Sequence, residues 1–292
     1  MSKYKLQRLN LQKILITMNK VDQNIDFSLL PETPNALRFV LLDINPYSSM
    51  CIPNNIKIVF STSKEFKYNL NNYLIIPISI DQYNTYNTHP NNVFKNNNLE
   101  NINILNNKSK FGKYMMENFI DNIPVVYYYN FDNETYKNDT IINNNSTLKL
   151  ISKENVCSAG VGIFIVNSVD STLKDVIISE YIEHTVYYSG HFIILNGKIL
   201  DKIYFSSTYR NDKDILRGRI REYTIQSELK VDDNIFNNIF TKLPYSGFAC
   251  VDFIIKNNKI IIFEINPRLG GSLALDTYYL NKFIDTLYDL YK

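Results

Sequence analysis

Two nearly unbroken apolar runs close to the C-terminus, 251–255 (VDFII) and 260–265 (IIIFEI), each carry one acid, and the second leads into Asn266-Pro267-Arg268. Short β-branched runs separated by the turn-forming Asn257-Asn258 read as a buried β-hairpin. A carboxylate inside such a hairpin is costly unless it meets a cation or a metal. Glu264 and Asn266 are two apart, so a strand puts them on one face. The face taken by Asp252 depends on the turn. A two-residue Asn257-Asn258 turn sets Asp252 opposite Phe263, away from Glu264. A three-residue loop, Asn257-Asn258-Lys259, sets it opposite Glu264. Asn tolerates the left-handed backbone such a bulged loop needs, and we expect the three-residue form. Two carboxylates and an amide oxygen then converge as an oxygen-only site, suited to Mg2+ rather than Zn2+.

Composition narrows the remaining choices. At 292 residues, with 45% hydrophobic residues, the chain is long enough for two domains with sizeable cores. The 31 basic and 29 acidic residues nearly balance, which argues against nucleic acid as a partner. Cys51, Cys157 and Cys250 are far apart, which argues against a disulfide scaffold or a Cys-rich zinc site. Charges interrupt every apolar run near the N-terminus, and no stretch approaches the ~20 apolar residues of a membrane span. The expectation is a soluble, cytoplasmic, two-domain protein with no membrane partner; a homo-oligomer is compatible with these features. Asn is abundant, and runs such as Asn96-Asn97-Asn98 read as compositional bias rather than function. Glycine and arginine resist that bias. Only Gly112 among the nine glycines precedes residue 150, and only Arg8 and Arg38 among the arginines precede residue 200. Glycine marks close backbone approach and arginine marks two-pronged recognition of carboxylate or phosphate, so both point to the C-terminal half.

Along the chain, residues 37–42, 56–60 and 73–80 read as buried strands, followed by a long polar loop over 81–107. A helix is expected from Ser109 as N-cap, ending before Ile123-Pro124. Strands follow at 125–129, 148–151, 161–166, 176–182 and 191–195, the last ending in an Asn196-Gly197 hairpin turn. After the hairpin at 250–265, an amphipathic helix is expected over 272–290. Mixed strands and helices with hairpins imply an α+β C-terminal half.

The segment from Glu264 to Arg268, with Asp252 on the partner strand and Gly270-Gly271-Ser272 beyond, resembles the metal-binding end of ATP-grasp enzymes. The resemblance covers roughly 108–292. It implies an ATP-grasp fold of two α+β subdomains (108–183 and 184–292) behind a smaller α/β N-terminal domain, 1–107. Ser109-Lys110 at a helix start resembles the family's first phosphate-contacting lysine, with Lys113 competing for the role. Lys149 resembles the strand lysine on the α- and β-phosphates. Ser158-Ala159-Gly160-Val161-Gly162 sits where the family has its phosphate-covering loop, here poor in glycine, with Lys153 placed to compensate. Glu180-Tyr181-Ile182-Glu183 resembles the hinge that reads adenine. His184 takes a usual glycine position and Val186 lies near the expected ribose acid, so the ribose contact falls to Glu183 or is missing. His184 and His191 read as structural.

The resemblance implies ATP and Mg2+ (one or two ions, with Mn2+ able to substitute) and an ADP-forming ligase joining a small-molecule carboxylate to an amine through an acylphosphate. Asp252, Glu264 and Asn266 would hold the metal and Arg268 the transferred phosphoryl group. Arg210 and Arg219, in a cluster with Arg217 and Arg221, are the candidates for the substrate carboxylate. The alternatives are activation of bicarbonate or another small acid with a partner protein, and a non-catalytic nucleotide-binding regulator.

Overall fold

Three parallel strands open the described part of the chain. β1 (Arg38–Leu42) lies between β2 (Lys57–Ser61) and β3 (Leu74–Ile76). A computed structural model describes residues 38–42, 57–61, 74–77, 80–90, 92–138, 149–156, 162–208, 222–226, 228–274 and 277–289. Helix α1 (Ile80–Tyr86) follows β3, and α2 (Leu99–Asn106) lies further on. Both fall in or against the stretch expected to be a loop. That stretch is polar on average, but its few apolar residues are used: Tyr83, Val93, Phe94, Ile102 and Leu105 are all buried. The Asn run also has work. Asn96 adopts φ 62, Asn97 exchanges two 2.7 Å hydrogen bonds with the Ser246 backbone, and the Asn98 side chain caps α2 by accepting from the Glu100 N–H.

The chain divides into two compact units, Met1–Asn96 with Leu269–Lys292, and Asn97–Arg268. In the second unit, α3 (Lys108–Asn118) starts one residue before Ser109. Its N-cap is Asn107, whose side chain accepts from the Ser109 and Lys110 N–H groups at 3.0 and 3.1 Å. The helix stops at Asn118, and a 3-10 turn (Ile120–Asn122) leads to Ile123-Pro124. Gly112 lets α3 approach the sheet closely, because a Cβ there would lie 2.4 Å from the Ile177 Cδ1.

That sheet has five antiparallel strands: β4 (Val126–Phe131), β5 (Glu134–Lys137), β6 (Leu150–Glu154), β7 (Ile163–Val166) and β8 (Val176–Glu180), in the order β5-β4-β8-β6-β7. β4 and β5 join through Asp132-Asn133, both with positive φ, a primed hairpin turn outside the expected set. The second sheet contains β9 (Val186–Leu195), β10 (Lys198–Thr208), β11 (Glu222–Gln226), β12 (Gly247–Lys256) and β13 (Lys259–Asn266), ordered β11-β10-β9-β12-β13. β9 and β10 turn through Asn196-Gly197 as the sequence indicates. Between β11 and β12 runs α4 (Asn234–Lys242), which buries Phe236, Ile239 and Phe240. Phe236 and Phe240 pack on Phe192 of β9, with ring centroids 5.0 and 5.8 Å away. The helical spacing of these three residues was the available signal for α4.

The expected C-terminal helix is observed as α5 (Gly271–Ala274) and α6 (Thr277–Asp289), with 275–276 outside the described residues. Among the described residues no helix is long and apolar enough to cross a membrane.

Asp233, just ahead of α4, accepts hydrogen bonds from the Lys202 Nζ and the Tyr204 hydroxyl, both at 2.6 Å. Burial alone would raise its carboxyl, but these two donors hold it below the usual carboxylate range. The stability it contributes is therefore fully present above about pH 4 and lost as pH falls through the folded value. Asp233→Asn is expected to cost about 1–2 kcal/mol near pH 7. Chemical denaturation of the two proteins across pH 3–8 should show that gap closing on the acid side; a pH-independent gap would refute the assignment.

Candidate active site

The β12–β13 hairpin turns through Asn257-Asn258 alone, with φ 52 and 60, and Lys256 pairs with Lys259. The loop has two residues rather than the expected three. In an unbroken ladder it would place Asp252 against Phe263. A bulge intervenes: Phe253 pairs with Ile262, but Asp252 pairs with Glu264, leaving Phe263 as the extra residue. The two acids thus face each other as expected, by a different route. Asn-Asn satisfies the tight turn, and the one-residue shift sits inside β13, where it re-aims the side chains that follow.

Asp252 is also opposite Ser189 of β9. The Ser189 hydroxyl donates to Asp252 Oδ1 at 2.8 Å, and the Tyr187 hydroxyl donates to the same carboxylate. Burial, and then the Glu264 charge, push the Asp252 carboxyl up to about 7 in spite of these donors and of Arg268. Glu264 moves the other way. Burial would raise it, but the Lys108 and Lys153 ammonium groups and the Asn266 amide hold it below the usual range. Lys108 Nζ lies 3.4 Å from Glu264 Oε2, and Asn266 Nδ2 donates to Glu264 Oε1 at 2.9 Å. Arg268 Nη2 reaches Asn266 Oδ1 at 3.4 Å, which joins Arg268 to the same cluster.

Lys108 was not singled out from sequence. It is 6% exposed and is the first residue of α3. Lys110, the expected phosphate lysine, is directed elsewhere: its Nζ lies 2.9 Å from Asp132 and 3.8 Å from Glu100. Lys113 pairs with Glu134 at 2.6 Å. The signal for Lys108 was the cap, because moving the N-cap from Ser109 to Asn107 brings Lys108 into the first turn as well. A second buried lysine lies on β6. The exposed Lys149 lies over the Tyr181 ring at 5.7 Å. Lys153 is the buried strand lysine, acting on Glu264 and lying 5.2 Å from the Phe263 ring centroid.

Phe263 also belongs to an aromatic wall. Its centroid is 5.5 Å from His184 and 6.0 Å from Tyr187. His184 is tied to the 180–183 segment by its Nδ1, 2.7 Å from the Ile182 carbonyl oxygen, which assigns the Nδ1–H tautomer. In that segment, the Glu180 N–H donates to Val125 O and the Tyr181 N–H to Lys149 O. Tyr181 and Ile182 are buried and Glu183 is exposed. Glu180 lies 3.9 Å from Lys256. Gly160, Arg210 and Arg219 lie outside the described residues.

Among the described residues no three His, Cys, Asp or Glu side chains gather into a metal cluster. The donor set is two facing carboxylates and an amide oxygen. Hard oxygen donors of this kind fit Mg2+, with waters and phosphate oxygens able to complete its octahedron. Burial and then the Glu264 charge raise Asp252, and a divalent ion would offset both.

Residues 105–272 match the ATP-grasp domain family. The chain belongs to the ATP-grasp family. Its fold is that of solved ATP-grasp structures. D-alanine–D-alanine ligase from Bacillus anthracis matches with a TM-score of 0.55 and 15% identity, over 87% of this chain and 97% of that one. The same ligase complexed with ATP matches with a TM-score of 0.53 and 15% identity, over 87% and 98%. Carboxyaminoimidazole ribonucleotide synthase from Aspergillus clavatus, complexed with ATP, matches with a TM-score of 0.50 and 11% identity, over 81% and 71%. No curated protein matches the chain by sequence. At these identities the likeness shows the ATP-grasp fold.

Removing the repulsion has a measurable consequence. A carboxyl raised in the fold takes stability away as pH rises from its unfolded value, near 4, to its folded value. Asp252→Asn is therefore expected to stabilise the ligand-free protein by roughly 1–3 kcal/mol at pH 8, with the gain vanishing toward pH 4. Melting curves at both pH values check this; a loss of stability at pH 8 would mean that burial and the Glu264 charge do not raise this carboxyl.

Proposed function

We propose that this ATP-grasp protein is an ADP-forming ligase that activates a carboxylate as its acylphosphate and joins it to an amine. The observation that carries the reading is the convergence of Asp252, Glu264 and Asn266 with the cations of Lys108, Lys153 and Arg268. That arrangement suits phosphoryl transfer, in which negative charge spreads over the moving group and needs positioning and fixed positive charge more than a protein nucleophile.

In this reading Asp252, Glu264 and Asn266 hold Mg2+, which would neutralise charge on the terminal phosphates. Lys108 and Lys153 address the phosphate chain. The hinge 180–183 presents backbone groups to the adenine, and the Phe263 ring offers it an apolar face. Arg268 stabilises the developing charge on the transferred phosphoryl group. The substrate carboxylate is assigned to Arg210 and Arg219, because a guanidinium fork matches a carboxylate in two places. The amine then attacks the acyl carbon, the C–N bond forms, and inorganic phosphate leaves.

The test is Mg2+-dependent phosphate release from ATP, surveyed over amino acids and small organic acids, with hydroxylamine added to trap an acylphosphate as the hydroxamate. The expected result is release that needs one class of acid, yields hydroxamate, and falls at least 100-fold in Arg268→Ala. Tight Mg·ATP binding with no turnover for any acid and amine would replace the ligase reading with a nucleotide-binding regulator. Hydroxamate formation with bicarbonate-like acids alone would favour small-acid activation.

A further inference from the structure

The two lysines that act on Glu264 leave the backbone beside a single buried polar knot. Lys108 begins α3, and its N–H donates to the Asn155 carbonyl at 2.9 Å. Lys153 ends two residues before Asn155, at the close of β6. The Asn155 N–H donates to Asp175 O at 2.8 Å, just ahead of β8, and its side-chain Nδ2 donates to Asn130 O of β4 at 3.0 Å. That second bond fixes the amide orientation and turns Oδ1 toward the Ser109 hydroxyl, which donates to it. The same hydroxyl lies 3.1 Å from the Val176 carbonyl oxygen. Ser109 is fully buried and Asn155 nearly so.

The geometry points to Ser109 and Asn155 as a positioning pair that sets the Lys108 ammonium, and the strand carrying Lys153, for the phosphate chain of the nucleotide. This rests on the reading of Lys108 as a phosphate lysine. Neither side chain touches the carboxylates in the contacts described above; each acts through the backbone that carries a lysine. A lysine has a long stem with about 2 kcal/mol of rotamer entropy, so its reach is controlled by where its Cα is held. Apolar residues could fill the same space, but only a donor–acceptor pair ties the first turn of α3 to the ends of β4, β6 and the start of β8 at once. A network of this kind, fully satisfied, rigidifies what it joins. Hydrogen-bonded groups behind a ligand commonly matter 10–100-fold to affinity.

The experiment measures Mg2+–AMPPNP binding to the full chain by calorimetry, with adenosine as a competitor that lacks phosphates. Ser109→Ala and Asn155→Ala are each expected to raise the AMPPNP Kd about tenfold while leaving adenosine affinity unchanged, and Ser109→Thr to restore most of the loss. In a Lys108→Ala background, Ser109→Ala should add clearly less than its tenfold effect, because one of the two lysines through which the pair acts is gone. Equal losses for adenosine and AMPPNP, or a full tenfold loss in the Lys108→Ala background, would overturn the proposal in favour of a purely structural knot. If one variant fails to fold, the other carries the same comparison. Should Lys108→Ala alone bind AMPPNP like the parent, the phosphate-lysine reading falls and this proposal with it, a result distinguished by the single variant.

Discussion

Two carboxylates face each other across a bulge, on strands rich in Ile, Phe and Val, and most of the surrounding structure answers that conflict. Two like charges cannot both ionise cheaply in such a place. The protein separates their fates instead of cancelling them. Asp252 receives neutral hydroxyl donors from β9 and stays hard to ionise. Glu264 receives ammonium groups from α3 and β6 and stays charged. The elements that satisfy the pair therefore come from both sheets of the second unit. Were either lysine's element displaced, Glu264 would be left as an incompletely compensated buried charge, which costs far more than the ion pair contributes.

The sequence made the hairpin legible, because β-branched runs around an Asn pair have few other uses. It also made the acid pair legible, but not the device that creates it. Turn chemistry alone allowed two registers, and the shift was assigned to the loop when the strand supplies it at Phe263. No local propensity marks a bulge; it is set by how β13 must meet β12 over the whole ladder. The two lysines that act on Glu264 were hard to single out for related reasons. Asn107 and Ser109 are both good caps, and a displacement of one or two residues on a helix start rotates a different side chain toward the site. Lys149, one residue ahead of β6, and Lys153 within it have the same strand parity, so periodicity could not choose between them. Burial chose.

The abundance of Asn was read as bias, and that obscured part of the fold. Asn97, Asn98, Asn107 and Asn155 each satisfy backbone or side-chain groups that would otherwise be unpaired. Asn133, Asn196, Asn257 and Asn258 occupy left-handed turn positions. A composition skewed toward Asn does not make each Asn idle: it is the non-glycine residue best able to cap, to adopt positive φ and to pair in two directions. With only nine glycines in the chain, much of the turn geometry falls to Asn.

The charge count of the cluster bears on how a metal would arrive. Lys108, Lys153 and Arg268 bring three positive charges against two carboxylates, so the site is positive by one even with both acids ionised. A bare divalent cation approaching it meets a like field, and it must compete with Lys108 for Glu264. A cation already carrying polyphosphate presents net negative charge to the lysines and the arginine, while its open coordination positions face the carboxylates. On the proposed reading the arrangement would therefore favour taking up metal and nucleotide together, with Lys108 moving from its carboxylate partner to a phosphate partner at little electrostatic cost. The Lys108 and Lys153 ammonium groups hold Glu264 below the usual carboxylate range before any ligand is present, so on the proposed reading it would not have to shed a proton on binding.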